Sequence, residues 1–114
     1  PKEKKISYVE EALRYIENNY DGTVNIQVIA DHLNIERTYL YRLFKTITGT
    51  SPQEYLLDYR VRQACTLLKN TDLPINDIAR SVGYEDALYF SRLFKQKKGQ
   101  TPTQYRRQRL SPTL

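Results

Sequence analysis

Apolar residues recur at intervals of three and four along most of the chain, and no stretch shows β-branched alternation, so the pattern predicts helices throughout. Ser7-Tyr8-Val9-Glu10 has the S-x-x-E form in which serine and glutamate satisfy each other's free amides. The first helix is therefore expected to open at Ser7, with Ile6, Val9, Leu13, Ile16 and Tyr20 as one stripe and Asp21-Gly22 as its stop. Asn25 suits the cap of a second helix over residues 26–33, with Ile26, Ile29, Ala30 and Leu33 inward. Asn34-Ile35-Glu36 reads as a tight turn, and a third helix over 37–48 ends at Gly49, which suits a left-handed cap. Ser51 as cap and Pro52 at the first helical position open a long fourth helix reaching Asn70. Its apolar positions are Tyr55, Leu56, Tyr59, Val61, Ala64, Leu67 and Leu68. Beyond Leu73-Pro74 the order restarts: a short helix over 75–82, a turn at Gly83-Tyr84-Glu85, then a helix over 87–98 capped by Asp86 and closed by Gly99. Thr101-Pro102 opens a last helix to Arg109, and residues 111–114 are expected to be a frayed tail. The fold class expected is all-α, with seven helices.

The restart is a duplication. Arg42-Leu43-Phe44-Lys45 returns as Arg92-Leu93-Phe94-Lys95, and Gly49, Pro52 and Tyr55 return as Gly99, Pro102 and Tyr105, all fifty residues on. Upstream, Ile26, Ile29 and Ala30 match Ile75, Ile78 and Ala79 at an offset of forty-nine, so the second copy carries one extra residue in its turn. An insertion in an exposed turn is cheap, whereas one inside a helix would rotate its buried face. Each copy is a short helix, a tight turn and a longer helix with a basic, hydroxyl-bearing outer face, which is the helix-turn-helix pattern. In such a unit the first helix braces the DNA backbone while the second lies in the major groove, its early residues at base edges. Small residues such as Ala30 and Ala79 let the two helices cross closely.

Charge changes the picture by its placement. The net charge of the 114 residues is +5, distributed as −3 over residues 1–36, +4 over 37–70, −3 over 71–91 and +7 over 92–114. Two spaced basic blocks suit a polyanion with a repeating geometry, although ordinary solvated helix faces would account for charge alone. The rest of the composition mainly excludes. The single cysteine, Cys65, rules out an internal disulfide and reads as a small buried hydrophobe. His32, the only histidine, reads as a solvated helix residue. There are too few Cys and His for a zinc site and no Gly-rich phosphate loop, so neither a metal nor a cofactor is expected, and no enzyme chemistry. No apolar run approaches the ~20 residues of a membrane span. Pro1-Lys2-Glu3-Lys4-Lys5 has no apolar stretch behind it to make a signal peptide, and a chain opening on Pro1 rather than Met fits a piece of a longer protein. The alternative class is a helical module that binds protein rather than DNA.

The second copy carries a family resemblance. Ile78-Ala79-Arg80-Ser81-Val82-Gly83-Tyr84, then Tyr89-Phe90-Ser91-Arg92-Leu93-Phe94-Lys95, then Gly99-Gln100-Thr101-Pro102-Thr103-Gln104-Tyr105-Arg106 resemble the signature of the C-terminal domain of AraC/XylS-family transcription regulators. The first copy fits more loosely, and the likeness runs from about Val24 to Arg107. It implies two helix-turn-helix subdomains, residues 7–51 and 71–110, joined by a linker helix over 52–70, with residues 1–6 linking to an upstream domain. It implies sequence-specific binding of double-stranded DNA, with recognition helices about 34 Å apart in successive major grooves. It places Thr38, Tyr41 and Arg42 of the first unit, and Ala87, Leu88, Ser91 and Arg92 of the second, at base edges. Arg pairs bidentately with guanine and apolar side chains meet the thymine methyl. Arg42 and Arg92 fit a phosphate contact or a surface ion pair as well. Arg37, Lys45, Lys95, Arg106 and Arg107 fall to phosphates. Leu40, Leu43, Phe44, Phe90, Leu93 and Phe94 are core by spacing, and Tyr39 and Tyr89 suit core or groove. Ala87-Leu88 makes the second reader less polar than a hydrogen-bonding one, and Glu36, Glu85 and Asp86 put negative charge near the helix starts, where they can act as caps. The resemblance further implies a bacterial cytoplasmic regulator that engages RNA polymerase, with an N-terminal effector or receiver domain.

Overall fold

The computed structural model describes residues 1–110; the tail read at 111–114 lies outside them. Seven α-helices and no strand are found among the described residues: α1 (Lys2–Asn19), α2 (Ile26–Leu33), α3 (Arg37–Thr48), α4 (Pro52–Asn70), α5 (Ile75–Ser81), α6 (Ala87–Lys98) and α7 (Pro102–Arg107), followed by a 3-10 turn, Gln108–Leu110. The chain divides inside α4 into two compact units, Pro1–Tyr59 and Arg60–Leu114.

Most helix boundaries follow local side-chain chemistry. Asn25 accepts from the Val28 amide at 2.9 Å, Ser51 from Glu54 at 3.1 Å, and Asp86 from Leu88 and Tyr89 at 3.0 and 3.2 Å. Thr101 and Gln104 form a reciprocal capping box. Gly49 and Gly99 close α3 and α6 in the same left-handed conformation, φ 81° and 76°, each donating its amide to the lysine carbonyl four residues back. A side chain at either would find open space but a strained backbone.

The start of α1 differs from expectation. Helix begins at Lys2 and Ser7 lies inside it, so the serine does not serve as the cap. Lys2 to Lys5 are good helix formers without a breaker, and Ile6 continues the stripe of Val9. Residues 2–6 are accordingly the first turns of a helix. At the other end α7 stops at Arg107 rather than Arg109, its last turn tightening to 3-10.

The first unit packs α1, α2 and α3 around Val9, Ala12, Ile16, Ile29, Ala30, Leu40, Leu43 and Phe44, with Tyr55 and Leu56 of α4 against them. The second buries Val61, Ala64, Cys65 and Leu68 of α4 with Ile78, Ala79, Val82, Phe90, Phe94 and Tyr105. The Phe94 ring lies 5.8 Å from Phe90 and 5.6 Å, edge-on, from Tyr105. Cys65 is the buried small hydrophobe expected, whereas Leu93 is only half-buried. His32 is exposed, its ring 4.7 Å from Tyr15.

The structure also locates the extra residue. Ile35 donates its amide to the Ala30 carbonyl at 3.0 Å, and Tyr84 to that of Ala79 at 2.9 Å, still at an offset of forty-nine. The caps Glu36 and Asp86 are already fifty apart, so the inserted residue is Glu85, in an exposed bend.

Candidate nucleic-acid interface

Burial of one side of α3 fixes what the other side shows. Leu40, Leu43 and Phe44 turn inward, leaving Arg37, Thr38, Tyr41, Arg42 and Lys45 exposed, with Tyr41 38% accessible. Thr38, Tyr41, Arg42 and Lys45 are spaced three, four and seven apart and so share one helix face. In the second unit Phe90 and Phe94 turn inward. Leu88, Arg92 and Lys95 are exposed, and Ala87 and Ser91 half-buried beside them. Each unit thus gathers its expected base-facing residues and a lysine on one outward strip. Neither Arg42 nor Arg92 makes a salt bridge among the described residues. Of the two ambiguous tyrosines, Tyr39 packs against the first core, edge-on to Tyr8 at 6.4 Å. Tyr89 stays 50% exposed, edge-on to Tyr84 at 6.0 Å.

One residue is placed elsewhere. Arg106 donates to the carbonyls of Leu68 (3.2 Å), Leu73 (2.6 Å) and Thr71 (3.2 Å). Arg109 joins it, donating to Leu68 at 3.1 Å, to Thr71 and to the Asp72 carboxylate. Two guanidiniums therefore occupy the carbonyl end of α4, where the helix dipole favours positive charge. Held by these three bonds, Arg106 acts as a clamp within the second unit. Arg107 remains exposed.

Residues not expected at this surface border α3 on both flanks. On one side Lys2, Lys5, Ile6 and Ile47 share a largely apolar groove of about 580 Å³ with Arg42. The Lys residues were hidden because residues 1–6 read as linker. On the other side Gln53 and Ile26 line a groove of about 290 Å³ with Arg37, Thr38 and Tyr41.

Glu36 caps α3 by accepting from the Tyr39 amide at 2.9 Å. That bond holds its carboxyl below the usual glutamate value of 4.5, with the Thr38 amide and hydroxyl adding to it. The folded state therefore prefers the carboxylate. The stabilisation is present above the unfolded value and is lost as pH falls through the lower folded value. Glu36→Gln is expected to lower the melting temperature at pH 7, with the gap to the parent closing as pH falls through the lower folded value. A gap that persists unchanged at acid pH would remove the charge from the explanation.

Two bracing helices, each followed by a capped helix with a basic, exposed strip, define a helix-turn-helix DNA-binding domain. The model of a helix-turn-helix domain family matches residues 29–108. The Msm operon regulatory protein of Streptococcus mutans is 36% identical over 102 residues, covering 90% of this chain and 37% of that protein. Among solved structures, the C-terminal domain of AraT, a response regulator from Geobacillus stearothermophilus, is 37% identical with a TM-score of 0.89, over 92% of this chain and 88% of that one. A Chromobacterium violaceum transcriptional regulator described as containing an AraC-type DNA-binding domain is 31% identical, TM-score 0.85, over 94% and 96%. The chain belongs to the AraC/XylS family. It is a sequence-specific DNA-binding domain of transcription regulation and not an enzyme. It spans about a third of the length of the first curated relatives it matches, and among its described residues no helix is long and apolar enough to cross a membrane.

Proposed function

We propose that α3 and α6 are both recognition helices and enter successive major grooves of one duplex. Thr38, Tyr41 and Arg42 meet base edges in one groove, and Ala87, Leu88, Ser91 and Arg92 in the next. Arg37, Lys45, Lys95 and Arg107 hold phosphates. The observation that carries this reading is the repetition: Arg42 and Arg92, Lys45 and Lys95, stand exposed on corresponding turns of two helices that share cap and stop positions.

Selection from randomised duplexes would identify the operator, and alanine variants then separate the roles. Arg42→Ala is expected to cost about 1–3 kcal/mol on the selected duplex and to relax preference at one position. Equal weakening on random DNA would reduce Arg42 to a phosphate contact. Lys95→Ala is expected to weaken binding to all duplexes and to lower the salt slope by about one.

The whole protein is proposed to be a cytoplasmic bacterial regulator in which an N-terminal effector or receiver domain controls this one, and which engages RNA polymerase. What supports this is the length of the relatives, of which the chain matches 37% in the Msm operon regulatory protein, and the description of AraT as a response regulator.

A further inference from the structure

The tip of α6 carries an unexplained exposure. Leu88 is 75% accessible, more than any other large hydrophobic residue of the described chain. Its neighbour Ala87 is half-exposed. The core of the second unit is filled by Phe90 and Phe94 and needs neither of them. Leaving a leucine in water forgoes about 1.5–3 kcal/mol relative to burying it. No helix-forming requirement calls for leucine there, since alanine would serve α6 at least as well.

The corresponding turn of α3 is built differently. Fifty residues earlier stand Arg37 and Thr38, both polar and exposed. In α6 the amides of Leu88 and Tyr89 are already satisfied by the Asp86 carboxylate. The exposed Glu85 adds a second acidic residue before the helix, so this end of the helix is a poor seat for phosphate. Ala87 and Leu88 carry no side-chain donor or acceptor, so these two side chains can make only apolar contacts. In the major groove the one apolar feature offered by a base pair is the C5 methyl group of thymine.

We propose that the second unit discriminates its site through pyrimidine 5-methyl groups, with Leu88 as the principal contact and Ala87 beside it. This rests on α6 being a recognition helix, as proposed above. The first unit then reads mainly by hydrogen bonds from Arg42 and its neighbours, and the second mainly by burying methyl groups. Arg92 and Ser91, one turn further along α6, keep the polar part of that reading.

Replacing thymine by deoxyuridine removes only the methyl and leaves base pairing and every hydrogen-bonding edge intact. Using the whole chain and its selected duplex, each thymine of the second half-site is replaced in turn and affinity measured for wild type and Leu88→Ala. For wild type, at least one position is expected to lose about three- to fivefold per methyl. In Leu88→Ala the thymine-to-deoxyuridine ratio at that position should fall to near one, with an unchanged melting temperature because the side chain is exposed. Equal wild-type affinity for thymine and deoxyuridine at every position would overturn the proposal while leaving the recognition reading intact. So would a ratio that survives in Leu88→Ala. Failure to select any preferred duplex would instead sink the recognition reading, and this proposal with it.

Discussion

Phe94→Ala is expected to unfold the second unit while the first stays folded. Phe94 is fully buried, in ring contact with Phe90 and Tyr105, and truncating such a residue costs about 3–5 kcal/mol in lost transfer energy and cavity formation. That is between about a hundredfold and several thousandfold in the folding equilibrium. A unit this small has little stability to lose. The core of the first unit is drawn from α1, α2 and α3 with the start of α4 and does not use Phe94. Backbone NMR spectra are the direct check: cross-peaks from α5, α6 and α7 should collapse to the unfolded region while those of α1, α2 and α3 persist. A single cooperative loss of all cross-peaks would refute the independence of the two cores. On DNA, protection should shrink to the half-site read by α3.

The second large effect is expected at Arg106. Removing its guanidinium strips donors from the carbonyls of Leu68, Thr71 and Leu73. Hydrogen bonds from a charged donor are worth about 1.5–3 kcal/mol each, and Arg109 covers two of the same carbonyls, so Arg106→Ala should destabilise the second unit by about 2–4 kcal/mol. Arg106→Lys should recover little of this, because an ammonium on a flexible stem cannot span three carbonyls as a planar fork does. Denaturant melts measure that loss. The salt dependence of DNA binding, taken where the variant is still folded, decides the role. The slope should match wild type, whereas loss of a phosphate contact would lower it by about 0.9. A lowered slope with unchanged stability would return Arg106 to the DNA.

The contrast between Arg106 and Arg42 says what kind of information a sequence carries. Arg42 was legible because everything that exposes it is local: Leu40, Leu43 and Phe44 turn inward and a helical period puts Arg42 outside. The partners of Arg106 lie 33 to 38 residues earlier in the chain, and no periodicity reports a bond across that separation. Lys2 and Lys5 were missed for a different reason. A plausible cap at Ser7 competed with an uninterrupted run of helix formers from Lys2 to Lys5, and that run carries the helix past the serine. Leu88 was legible as an apolar residue on the outer strip, but its degree of exposure was not.

The chain by itself determined what is set within a few residues: helical period, caps at Asn25, Ser51, Asp86 and Thr101, stops at Gly49 and Gly99, and the duplication that makes two units of one design. Tertiary structure decided what depends on residues far apart meeting: the division inside α4, the guanidinium clamp on its carbonyl end, the cations beside Arg42, and the leucine left in water. The physical reason is range. At Asn25, Ser51, Asp86 and Thr101 the capped amide lies only two or three residues away, whereas burial and long-range hydrogen bonds exist only once separate helices are packed together.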